Sequence, residues 1–233
     1  MTSIERRSLV LMGEACLRLG KLDDARRTLH QAGLPLTAAQ LIACGEECLK
    51  RGSLYDAREA FAEAGKPLTR DQLIACGERG LKMGWLDLAQ EAFAEAEHKP
   101  GLIALGEEYL KKGGLLELEN GWLELARRRF AEADYTPGLV ACGELYLKLG
   151  RLDDARRALD QAGVSPTPAQ LIDCGEKCLE RGWFRCAQQA FAEAGLSLTP
   201  AQLIACGERC LEQGWIGDAQ QAFAEVARLE AES

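Results

Sequence analysis

The chain has only two histidines, His30 and His98, and seven prolines among 233 residues. So few imidazoles leave little material for a histidine-based metal site or general base. Sparse proline with 27% charged residues argues against disorder. No apolar run approaches the roughly 20 residues needed to cross a bilayer. The opening Met1-Thr2-Ser3-Ile4-Glu5-Arg6-Arg7 leads into a segment broken by Gly13, Glu14 and Arg18, unlike a secretory signal. Basic charge is also in deficit, giving a net charge of −8. Such a surface repels phosphate backbones and anionic lipid, so no nucleic acid and no membrane is expected as a partner. A cytoplasmic protein is expected.

Cysteine, by contrast, is plentiful. Ten occur, and in a short secreted chain they would suggest a disulfide framework. Here they keep step with an internal repeat and no export signal accompanies them, so reduced, buried thiols are expected.

The repeat is visible as a returning phrase: Leu41-Ile42-Ala43-Cys44-Gly45-Glu46, Leu73-Ile74-Ala75-Cys76-Gly77-Glu78 and Leu203-Ile204-Ala205-Cys206-Gly207-Glu208. Its Gly-Glu pair recurs at Gly13, Gly45, Gly77, Gly106, Gly143, Gly175 and Gly207, at separations of 32, 32, 29, 37, 32 and 32. Repeats four and five are entered by linkers three residues short, near Lys99-Pro100 and Thr136-Pro137, and repeat four carries an insertion at 114–121. Seven units at a fixed period predict a stacked array.

Within a unit the signals are helical. Thr37/Gln40, Thr69/Gln72, Thr167/Gln170 and Thr199/Gln202 have capping-box spacing, and Pro168 and Pro200 suit a first helical position. The first helix of each unit is expected to stop at Gly20, Gly52, Gly84, Gly113, Gly150, Gly182 or Gly214 in a left-handed cap. A second helix follows, with Ala57, Phe61 and Ala64 on one face in repeat two, and Gly33, Gly65, Gly163 and Gly195 close several of these helices. Repeats one to three match repeats five to seven better than each matches its neighbour, which suggests one copying of a larger block.

Leu41, Cys44, Gly45, Cys48, Gly52, Leu54, Ala57, Phe61 and Ala64 stand at the offsets of the pattern W-x2-L-G-x2-Y, glycine, A-x3-F. The chain thus resembles the tetratricopeptide repeat family over nearly its whole length. Leucine replaces the family's tryptophan, cysteine often replaces leucine and tyrosine, and the unit is two residues short. The resemblance implies an all-α solenoid of about seven helix–turn–helix repeats in a right-handed superhelix, one domain spanning 1–233. Its repeats would start near 6, 38, 70, 99, 136, 168 and 200. It also implies a concave groove that binds a peptide or helix of another protein. The cysteines occupy its core positions, so the pairs Cys44/Cys48, Cys174/Cys178 and Cys206/Cys210 are expected to be structural, with no metal, no cofactor and no catalytic residue.

By the same resemblance the groove holds the glutamates that follow the marker glycines: Glu14, Glu46, Glu78, Glu107, Glu144, Glu176 and Glu208. Beside them lie Ile42, Leu49, Ile74 and Leu81. In repeats one to five each glutamate has a cation four residues on, as in Glu46–Lys50, and an intrahelical pair is expected. In repeats six and seven the residue four on is Glu180 or Glu212, so like charges meet uncompensated and this end is expected to bind. The lysine, arginine and asparagine that let related domains hold acidic chaperone tails are missing from these places. A basic or amphipathic segment of another protein is therefore the expected partner. A self-assembling structural or spacer array is the alternative, and an RNA-binding helical repeat a further one.

Trp85, Trp122, Trp183 and Trp215 each follow a turn glycine and should line one edge, either closing their own turns or contributing interface hot spots. The leucine-bearing insertion 114–121 is expected either to project from the same edge or simply to extend the two flanking helices. Ile216, Ala219, Phe223, Val226 and Leu229 give the last helix an apolar stripe, which predicts a homo-oligomer through that helix or docking on a partner.

Overall fold

The structure is a computed structural model and describes residues 2–115 and 120–231. Among the described residues there are fourteen α-helices and no strand. In chain order they are α1 (Ser3–Arg18), α2 (Leu22–Gln31), α3 (Ala38–Arg51), α4 (Leu54–Glu63), α5 (Arg70–Met83), α6 (Leu86–Glu95) and α7 (Lys99–Leu115). There follow α8 (Asn120–Glu132), α9 (Thr136–Lys148), α10 (Leu152–Ala162), α11 (Pro168–Glu180), α12 (Phe184–Glu193), α13 (Pro200–Glu212) and α14 (Ile216–Ala231). Each odd-numbered helix packs on the even-numbered one after it, and α1, α3 and α5 pack in succession in one compact unit as α9, α11 and α13 do in the other. The units are Met1–Leu105 and Gly106–Ser233, and the division falls inside α7. Repeats one to three lie in the first unit and five to seven in the second, matching the similarity between the two halves of the sequence.

The helix starts obey their sequence signals. Thr37, Thr69, Thr167 and Thr199 each complete a capping box with the glutamine three residues on, and Thr2 does the same with Glu5. Where the linker is short, the box is lost. There Glu97 and Asp134 take left-handed φ values of 47° and 55°, and the next helix comes in closer. That approach needs glycine: a Cβ on Gly101 or Gly138 would stand 2.4 Å from the ring of Phe93 or Phe130.

One expected cap is not formed. Gly113 does not end α7, which runs on to Leu115; Gly113 is instead buried against Leu123 of α8. The lengthened repeat continues its first helix past the usual turn position. Residues 116–119 of the insertion at 114–121 lie outside the described residues.

The marker glycine of each unit is set by packing. In repeat two the Phe61 ring rests on Gly45; Phe191 does the same at Gly175, and Leu29 and Leu159 take the place at Gly13 and Gly143. The core between the two helices of a repeat is built from this contact, from alanines such as Ala57 and Ala60, and from thiols. Burying one such phenylalanine contributes roughly 1.5–3 kcal/mol.

Successive repeats are tied by three recurring devices. Cys48, Cys178 and Cys210 donate their S–H to the carbonyls of Gly20, Gly150 and Gly182, the turn glycines one repeat earlier, at 3.2, 3.1 and 2.9 Å. Arginines cap the end of the preceding odd helix: Arg51 on the Leu19 carbonyl, Arg79 on Lys50, Arg181 on Leu149 and Arg209 on Glu180. On the even helices Arg26 bridges Glu59 and Glu63, Arg58 bridges Glu91 and Glu95, and Arg156 pairs with Glu193. In the second unit Arg127 reaches Gln161 while holding Glu124, whose pKa it pulls down to about 2.

Candidate functional site

On α3, Leu41, Cys44 and Cys48 face the core, so Gln40, Ala43, Glu46, Glu47 and Lys50 fall on another side. The equivalent faces of neighbouring odd helices enclose open cavities. One of about 600 Å³ lies between α1 and α3, with Glu14, Leu17 and Arg18 opposite Gln40, Ala43, Glu46 and Glu47. A second, of about 260 Å³, lies between α3 and α5, where Glu46, Leu49 and Lys50 meet Gln72, Ala75, Cys76 and Arg79. A third, of about 690 Å³, joins Lys50 to Ala75, Glu78, Arg79, Lys82, Met83 and Trp85. In the second unit, Leu179 and Glu180 of α11 face Gln202, Ala205, Cys206, Glu208, Arg209 and Glu212 of α13 across about 380 Å³.

The first unit therefore brings Glu14, Glu46, Leu49 and Glu78 into this row of cavities, and the second brings Glu180, Glu208 and Glu212 into one. Ile42 and Ile74 are half-buried against the core, with only part of their surface on the face. Leu81 is half-buried too, while Glu107, Glu144 and Glu176 are exposed on their helices.

The charge pairing differs from expectation in two respects. The i, i+4 pairs do not form. Lys50 turns back to Glu47 at 2.5 Å and Lys111 to Glu108 at 2.6 Å, each a carboxylate one residue after the marker glutamate and three residues before the lysine. Among the described residues, Glu14, Glu46, Glu78, Glu107, Glu144, Glu176 and Glu208 make no ion pair. Conversely, Glu180 and Glu212, expected to be uncompensated, are compensated. Lys177 holds Glu180 at 2.7 Å and Arg209 holds Glu212 at 2.6 Å, each across a single turn. The acidic character is thus shared along the odd helices instead of being concentrated in the last two repeats.

The tryptophans divide. Trp122 stacks on Tyr109 and receives Lys112 over its ring, and Trp183 receives Arg181. Trp85 lays its ring against Gly52 of the preceding repeat yet stays 41% exposed, at the wall of the 690 Å³ cavity beside Met83. Trp215 is exposed on the last repeat.

Cavity residues that sequence reasoning missed are the small and amide ones, Ala43, Ala75, Ala205, Gln40, Gln72 and Gln202. Their spacing ahead of the marker glutamates, three residues for the alanines and six for the glutamines, was the available signal; the glutamines were absorbed by their capping role. Among the described residues no group of three or more His, Cys, Asp or Glu is set to hold a metal ion, and no helix is long and apolar enough to cross a membrane. No protein-family model matches the chain, and no curated protein matches it in sequence.

Proposed function

We propose that the chain is a protein-interaction module of the tetratricopeptide kind, in which the odd-numbered helices receive a basic or amphipathic segment of another protein. The observation that supports this most is the set of marker glutamates without ion pairs among the described residues, with Glu14 and Glu46 of successive repeats on one 600 Å³ cavity that Leu17 and Ala43 also line. A helix or strand laid there would bury apolar side chains on Leu17, Ala43 and Leu49 and place lysine or arginine between carboxylates. Each exposed pairing is worth about 0–1 kcal/mol, so several must act together and binding weakens with salt. Trp85 and Met83 supply the large apolar contacts that carry much of the energy at interfaces. This reading assigns no catalytic chemistry, and a cytoplasmic setting suits ten free thiols.

The test is titration of lysine-rich amphipathic peptides against the protein and against Glu14→Gln/Glu46→Gln/Glu78→Gln. Affinity should fall at least tenfold in the triple variant and decline with ionic strength in the parent. Equal affinity, or no binding by any basic peptide, would remove the reading.

A second reading is favoured by Ile216, which is 61% exposed, together with exposed Leu211, Trp215 and Phe223 on the last repeat. These suit self-association through α14, as in a structural or spacer array. Light scattering across concentration separates the two readings, since only the second requires mass to rise with concentration.

A further inference from the structure

The sixth repeat holds three thiols where every other repeat holds at most two. Cys174 and Cys178 lie one turn apart on α11, and Cys186 lies in the first turn of α12. Cys178 Sγ is 3.1 Å from the Gly150 carbonyl oxygen and Cys186 Sγ is 3.5 Å from the same atom. The two sulfurs thus converge on one acceptor from the two helices of the repeat.

Their surroundings differ in a way that divides the work. Cys178 is fully buried, whereas Cys186 is only half-buried and so reachable from solvent. The neighbouring Cys178 and the backbone of Leu152, at the start of α10, favour the Cys186 thiolate. Arg156 adds positive charge, while burial and Asp153 oppose. The balance brings the Cys186 thiol down to about 7 and holds Cys178 well above its ordinary value. A cysteine at a helix N-terminus beside a cation is the usual setting of a reactive thiol. In repeats one, two, five and seven the Cys186 place holds an aspartate, and the charge of Asp56 and Asp218 helps keep Cys48 and Cys206 protonated.

We propose that Cys186 and Cys178 form a redox-active dithiol, in which Cys186 reacts with a hydroperoxide and Cys178 resolves the product. In the first step the Cys186 thiolate attacks a peroxide oxygen and the O–O bond breaks. The departing oxygen takes a proton and leaves as water or an alcohol, and Cys186 becomes a sulfenic acid. In the second, Cys178 loses its proton and its sulfur attacks that of Cys186. The S–O bond breaks, hydroxide leaves as water with that proton, and an S–S bond forms. Two thiols are oxidised by two electrons and one peroxide is reduced. Cys178 can then no longer donate to Gly150, so oxidation removes a hydrogen bond that joins repeat six to repeat five.

The test is hydrogen peroxide treatment of the whole native protein, alkylation of the remaining thiols and tryptic mapping. Cleavage at Lys177, Arg181 and Arg185 puts Cys174, Cys178 and Cys186 on separate peptides. A Cys178–Cys186 link is expected, with Cys44 and Cys48 alkylated as free thiols. At neutral pH Cys186 should alkylate at least roughly tenfold faster than Cys44. Cys178→Ala should leave Cys186 as a sulfenic acid trapped by dimedone. Cys186→Asp carries the residue of repeats one, two, five and seven and should keep native helicity while losing the link. No link with Cys186 still alkylatable, or equal linking at Cys44–Cys48, would overturn the proposal.

Discussion

Phe61 lies against Gly45 so closely that a Cβ on the glycine would stand 2.6 Å from the ring. The aromatic ring of the second helix thus dictates the glycine of the first. Gly45→Ala should cost up to about 2 kcal/mol, overpacking of about 1–3 kcal/mol less the helix preference for alanine of roughly 1 kcal/mol. In a Phe61→Ala background the same change should become neutral or stabilising. Denaturant melts of the four proteins check the coupling; additive costs would contradict the contact.

Glu124 is held by Arg127 at 2.7 Å and by Arg128 at 2.9 Å, which draws its pKa from 4.5 to about 2. A depressed carboxylate contributes stability that is fully present above its unfolded pKa and is lost as pH falls through the folded one. The loss should therefore fall between about pH 4.5 and 2 and be on the order of 2–3 kcal/mol. Glu124→Gln should flatten the stability–pH curve in that window, measured by urea melts at stepped pH.

Glu97 occupies a left-handed turn, φ 47°, where the corresponding positions of other repeats hold Gly33, Gly65, Gly163 and Gly195. A side chain there costs roughly 1–2 kcal/mol. Glu97→Gly should raise stability by about 1 kcal/mol at most, after the entropy glycine gains in the unfolded chain. Gly65→Glu should do the reverse. Thermal melts of both variants give the answer.

Arg58 meets Glu91 and Glu95 across a repeat boundary while a third of its side chain stays exposed. Arg58→Gln should cost about 1 kcal/mol at low salt, and the difference from the parent should shrink as salt rises. A salt-independent cost would point to lost packing of the arginine stem instead.

How much of this was legible in the sequence depends on the range of the interactions. The helices, four capping boxes and the buried thiols follow from spacing within a repeat, because caps and helix faces are local. Gly113 misled because a left-handed cap and a tightly packed helical position both call for glycine. The marker glutamates were found but their partners were not. Lys50 can reach carboxylates three or four residues back, and the choice of Glu47 depends on how the side chain leaves the packed face. The meeting of Cys178 and Cys186 on Gly150 crosses a turn and a repeat boundary, so no spacing rule announces it.

The arginine caps come in two versions. In repeats two and six the donor stands at the end of the odd helix, Arg51 or Arg181; in repeats three and seven it stands two residues after the marker glycine, Arg79 or Arg209. Repeats are therefore not interchangeable building blocks. A chimera that exchanges the second with the sixth, or the third with the seventh, keeps every donor over its carbonyl. One that puts the third in place of the second sets Met83 where Arg51 stood, so the grammar of recombination runs in matched positions, not in single units.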